Sequence, residues 1–135
     1  MTHARPQRLI YAATAALFLA ACLPAGAPDP RATKWTLVAI DGEPFLARGK
    51  IDLTTPGKIA GQGPCNRFFG SYVGTLTAFV PGAIAATKMA CADLGAESAM
   101  FAALAAMTQA EVTGPATLLL TGPDGRRMEF VRPLD

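Results

Sequence analysis

The stretch Gly61-Gln-Gly-Pro-Cys-Asn-Arg-Phe-Phe-Gly-Ser-Tyr72 sets a lone cysteine among glycines, a proline and an asparagine, with three aromatic residues just behind it. Gly61, Gly63 and Gly70 permit tight corners or bulges, and Asn66 readily takes a left-handed backbone or bonds its own turn. Phe68, Phe69 and Tyr72 read as core and surface positions alternating along a strand. The stretch is therefore a sheet corner, entered by a short strand over Lys58 to Gly61 and left by another over Phe69 to Val73.

The rest of the chain reads the same way on either side. Lys34 to Ile40 alternates around Trp35 and Leu37 and stops at Asp41-Gly42, a strong turn signal. A second strand around Ile51 and Leu53 ends at Pro56-Gly57, and a further one over Thr75 to Val80 follows Gly74. The pattern then changes. Ala96 to Ala110 has no proline and no β-branched run, and Met100, Leu104 and Met107 fall at i, i+4 and i+7 beside Phe101, so a helix is expected over about residues 96–109 with an apolar face for the core. After Gly114-Pro115, two more strands flank Gly122-Pro123-Asp124-Gly125, which has tight-turn chemistry. Seven or eight short strands and one good helix make an α+β domain, mostly antiparallel sheet.

The N-terminus lies outside this pattern. Arg5 and Arg8 precede a run of about 13 apolar residues, Leu9 to Ala21, too short for a comfortable transmembrane helix and without any polar face. Residues 1–21 read as an export signal. Leu19-Ala20-Ala21-Cys22 resembles a bacterial lipobox, in which the cysteine is acylated and becomes the mature N-terminus. Residues 22–32, rich in proline and small side chains, read as a flexible tether, and 33–135 as the domain. Anchoring of the acylated chain in the cell envelope is the expected localisation, on the outer membrane facing the periplasm in a Gram-negative cell.

Charge narrows the partners. Twelve basic residues face ten acidic ones, but Arg5 and Arg8 leave with the signal, and so does the only histidine, His3. A mature domain near zero net charge lacks the basic footprint of a nucleic-acid binder. It has no run of basic residues for anionic lipid either, so acyl chains are expected to supply the membrane affinity.

Three landmarks succeed one another: Trp35-x-Leu37 leading to Gly42; Cys65-Asn66-x-Phe68-x-Gly70-x-Tyr72; and Thr87-x-Met89-Ala90-Cys91, followed by Glu97, Met100 and Leu104. Their succession resembles the META domain family, the HslJ-like bacterial envelope proteins, from about Thr33 to Val131. Pro64 departs from the glycine usual before the Cys-Asn pair. The resemblance implies a compact β-rich fold behind an export signal and a link to envelope stress and drug tolerance. It brings no established catalytic set.

Cys65 has several readings. A nucleophile needs a base within hydrogen-bonding reach, and no histidine remains to serve. A zinc site needs about four ligands, and Cys65 and Cys91 are the only soft ones left. The C-x-x-C spacing of a thioredoxin-like pair is missing. In an exported chain the two cysteines form an even set, so a Cys65–Cys91 disulfide is expected, with a pair of buried free thiols as the alternative. Such a bond would stabilise the fold by about 3–4 kcal/mol on the chain-entropy view. Gly61-x-Gly63 lacks the helix and Lys-Ser/Thr of a phosphate loop. Arg67 and Lys88 read as solvated charges, and Asp93 and Glu97, four apart, as helix-capping carboxylates.

No catalytic residue, cofactor or metal is therefore expected. The leading reading is a non-enzymatic, lipid-anchored module that binds an envelope protein or wall component. The alternative is a small envelope enzyme, either a thiol oxidoreductase or a carboxylate-dependent hydrolase using Asp93 or Glu97.

Overall fold

Trp35 and Leu37 are buried and their neighbours Lys34, Thr36 and Val38 are not, the two-residue period a strand needs to face a core on one side. This strand is β1 (Lys34–Ile40) of a computed structural model that describes residues 28–133. It is followed by β2 (Glu43–Pro44), β3 (Lys50–Asp52), β4 (Lys58–Gln62), β5 (Arg67–Thr75), β6 (Ala78–Pro81) and β7 (Ala85–Ala86). One helix, α1 (Leu94–Ala105), precedes β8 (Gln109–Thr113), β9 (Thr117–Thr121) and β10 (Arg127–Val131). The signal segment, Cys22 and the tether as far as Ala27 lie outside the described residues.

The neighbours run antiparallel in the order β6-β5-β4-β3-β1-β10-β9-β8, with β2 beside β1 and β7 beside β5. The two ends of that path meet. Phe79 N donates to Thr108 O at 2.8 Å and Ala110 N donates to Leu76 O at 2.6 Å, so the sheet is a nearly closed barrel with little unpaired edge. The Asp41-Gly42 corner takes positive φ at both residues, 51° and 88°, as a two-residue hairpin turn requires. Asp41 then binds the start of the neighbouring strand β10: its carboxylate accepts from Arg127 N at 2.9 Å and pairs with Arg126 at 2.8 Å.

Inward side chains fill the barrel, with Trp35, Ile51, Phe68, Leu118, Met128 and Phe130 among those fully buried. The helix lies across one mouth, where β4 turns into β5 and β9 into β10. There Met100 packs against Gly49 and Leu37, and Phe101 meets Phe68 edge-on with ring centroids 5.2 Å apart. At the other mouth Trp35 Nε1 donates to Pro30 O at 2.7 Å. Pro30–Ala32 form a 3-10 turn, so ordered structure extends into the last residues assigned to the tether. Among the described residues, no helix is long and apolar enough to cross a membrane.

The helix is shorter than its composition suggests. It covers Leu94–Ala105, not 96–109. Met100, Leu104 and Met107 are all fully buried, as the stripe implies, but Met107 lies beyond the helix. Thr108 N already bonds Thr121 O, and from Gln109 the chain pairs with β9 as β8. Long-range sheet pairing overrides the local preference of an alanine-rich segment. β8 and the two-residue strands β2 and β7 bring the sheet to ten strands, where seven or eight are expected from the sequence.

Gly61 is where two strands and the core come closest. A Cβ there would collide with Lys50 O and with the Phe68 ring, and a backbone oxygen in a sheet has nowhere to go. Gly95, at the exposed start of α1, has nothing within 4 Å of the same position. Gly61→Ala should therefore lower stability by about 1–3 kcal/mol, whereas Gly95→Ala should be neutral or stabilising by up to about 1 kcal/mol. Urea denaturation of the two variants checks this.

Candidate functional site

The corner read from the sequence becomes the β4–β5 connection, residues 63–66, at the helix-covered mouth. Gly63 N donates to Asn66 O at 2.7 Å, closing the loop. Cys65 is joined to Cys91 through their sulfurs with Cα atoms 5.7 Å apart, a usual separation for a disulfide. Cys91 is exposed and Cys65 half-buried. The bond ties the corner to the segment between β7 and α1.

Asn66, only 2% exposed, spends its whole hydrogen-bonding capacity. Its Nδ2 donates to Glu97 Oε1 at 2.6 Å and to Met89 O at 3.1 Å. Its Oδ1 accepts from Met89 N at 2.6 Å and from Thr87 Oγ1 at 2.9 Å. This accounts for Thr87-x-Met89. Thr87 contributes its hydroxyl, which also accepts from Arg67 N at 3.2 Å. Met89 contributes only its backbone, and its side chain is exposed.

Glu97 is the residue the sequence misplaces. It is expected to cap the helix, yet it is 5% exposed and its carboxylate faces the corner. Oε2 accepts from Cys65 N at 2.9 Å and from Asn66 N at 2.7 Å, while Oε1 takes the Asn66 amide. A Cβ on Gly63 would come within 2.8 Å of Oε2, so the glycine there makes room for the carboxylate. Burial pushes the Glu97 carboxyl up, but the bonds from the Asn66 side chain and the Cys65 and Asn66 amides outweigh it and hold the group below its ordinary value. Asp93 sits at the N-cap without a side-chain cap bond. The signal for Glu97 was its place on the Met100–Leu104 face of the helix, one turn earlier.

The remaining motif residues are packing positions. Trp35, Phe68 and Tyr72 are buried in the core. A Cβ on Gly70 would press on Ala83 O at 3.0 Å. Arg67 and Lys88 are exposed beside the corner. A separate groove of about 550 Å³ lies between Pro28–Arg31 on one side and Thr75, Leu76, Thr77, Gln109 and Glu111 on the other. Cys22 lies outside the described residues.

The META domain matches residues 29–134, nearly the whole described chain. The chain belongs to the META domain family. Its fold is similar to that of the NMR structure of a protein from Burkholderia xenovorans, at 26% identity over 84% of this chain and 96% of that one, with a TM-score of 0.59. A second NMR structure, 19% identical, covers 74% of this chain and 88% of its own, with a TM-score of 0.56, and shows the fold alone. No protein of curated function matches the chain. In this META domain the Cys-Asn and Thr-x-Met motifs and Glu97 form one hydrogen-bonded cluster.

Three variants test that cluster. Glu97→Gln offers one acceptor oxygen where two are used and turns an N–H toward another donor, so it should cost about 1–3 kcal/mol at neutral pH. Because the folded-state carboxyl is depressed, its contribution is complete above the ordinary glutamate value of about 4.3 and fades as pH falls below it. Acid titration of stability should thus be steeper below that pH for wild type than for Glu97→Gln. Opening the disulfide by Cys65→Ser or Cys91→Ser should cost about 3–4 kcal/mol in either case. Chemical denaturation at several pH values checks all three.

Proposed function

We propose that this chain is a membrane-anchored envelope lipoprotein whose META domain acts as a non-enzymatic binding or structural module, linked to envelope stress or drug tolerance. One observation carries the non-enzymatic part. The polar groups that the motif brings together are consumed by one another: every acceptor and donor of the Asn66 amide is occupied, the Glu97 carboxylate takes three N–H groups, and the two cysteines are bonded. A general base or nucleophile needs a free lone pair aimed at a substrate. The anchoring part is supported by the positive flank, apolar run and Leu-Ala-Ala-Cys sequence ahead of Cys22. The stress link is supported by family membership.

Both parts are testable in cells. Cys22→Ala should abolish incorporation of labelled fatty acid and leave an unprocessed precursor, read by fluorography and mass spectrometry. In a deletion strain challenged with envelope stress or antibiotic, Asp93→Ala and Lys88→Ala proteins should each restore most of the wild-type tolerance. Loss of tolerance from either change at unchanged abundance and melting temperature would favour the enzyme reading.

A further inference from the structure

The outer surface of β3, β4 and β5 differs from the rest of the barrel. The outward positions along β5 are Arg67, Phe69, Ser71 and Val73, and Val80 of β6 pairs opposite Val73. Phe69, Val73 and Val80 are 60%, 77% and 68% exposed. Phe69 stands in a cross-strand row between Ala60 and Ala85, whose methyl groups are too short to cover its ring. A shallow hollow bordered by Ala60, Ala83 and Ala85 lies beside it. Single exposed apolar side chains are ordinary, but a strip of them rimmed by charge marks an interaction surface.

The rim is basic. Lys58 and Arg67 occupy the outward rows on either side of Phe69, and Lys50 extends the Arg67 row through Gln62. None of the three is in an ion pair among the described residues. The carboxylate on the outer face of these strands, Asp52, is taken by Lys34 at 3.3 Å and by Thr54. A chain with nearly balanced charge thus gathers positive charge around its apolar strip, although no basic run is visible in the sequence.

The tether says what faces that strip. Only Leu23–Ala27 separate Cys22 from Pro28, and about six residues reach at most about 20 Å. Pro28–Arg31 share a groove with Thr75, Leu76 and Thr77, so the chain joins the barrel beside the β5–β6 turn, at the end of the strip formed by Val73 and Val80. We propose that the β3–β5 face docks the barrel on an anionic phospholipid bilayer. Phe69, Val73 and Val80 enter the interfacial layer, and Lys50, Lys58 and Arg67 lie over lipid phosphates. The proposal rests on acylation at Cys22 for its reach. Apolar side chains gain by leaving water for the interface, and basic ones add an attraction that salt screens.

Tryptophan placed on the face reads the docking. The full acylated chain carrying Phe69→Trp, or Val80→Trp, is reconstituted in vesicles of phosphatidylethanolamine and phosphatidylglycerol with brominated acyl chains. Glu129→Trp on β10, four strands away along the sheet path, is the control, and buried Trp35 contributes the same background to each. The two face variants should be quenched several-fold more than the control, and shortening the Debye length from about 10 Å to about 3 Å with salt should reduce the difference. Equal quenching at face and control positions, in protein whose mass shows the acyl chains, overturns the docking. Absence of acyl mass on the Cys22 peptide overturns the anchoring reading instead, and removes the reach on which this docking depends.

Discussion

A carboxylate removed from water loses far more than an ordinary side chain does, and it survives in a protein interior only where donors replace the water. Glu97 meets that condition by drawing on two places at once: the backbone of the β4–β5 corner and the side chain of Asn66. Asn66 in turn binds Thr87 and Met89. The carboxylate therefore fixes the corner, the segment ahead of α1 and the helix across the barrel mouth in one arrangement. Gly63 follows from it, since a side chain there would occupy the carboxylate's place. The disulfide closes the same junction covalently, so the junction is held by a charge and by a bond that respond to different conditions.

A cysteine, an asparagine and a glutamate gathered at one loop have the composition of an active site, and as isolated residues they invite that reading. Their bonding partners fill the Asn66 amide and give the Glu97 carboxylate three N–H donors, which is what supports the non-enzymatic reading proposed above. On the barrel exterior lie the basic and apolar face of β3–β5 and the groove between Pro28–Arg31 and the β5–β6 turn. The groove and the Val73–Val80 end of that face lie near the place where the chain enters the domain, whereas Arg67, at the other end of the face, adjoins the Asn66–Glu97 cluster.

Much of the sheet was legible because its signals are local. The alternation through β1, the Asp41-Gly42 turn and the Pro-Asp-Gly corner before β10 each need only their own neighbours to act, and the pairing of two cysteines needs only a count once the chain is read as exported. Two features were not legible, and for different reasons. The sequence reads the helix too long because Ala106 to Ala110 is as good a helix former as what precedes it, and only the distant β9 strand decides that Gln109 becomes sheet. Glu97 reads as a helix-capping carboxylate because a charged residue near a helix start usually serves there. Its burial depends on a corner more than thirty residues earlier in the chain, with amide groups pointing at it. Barrel closure and the clustering of Lys50, Lys58 and Arg67 are likewise products of strand order, which no local pattern states.

The central claim is that Glu97 and Asn66 act as one unit holding the junction together. A double-mutant cycle on folding stability at neutral pH, using Asn66→Ala, Glu97→Ala and the pair, measures this most directly. Each single change leaves the other group buried without its partner, so the two losses should overlap, with a coupling energy of about 1–3 kcal/mol. Losses that simply add, with coupling within about 0.5 kcal/mol of zero, would show that the two residues contribute independently and would contradict the account.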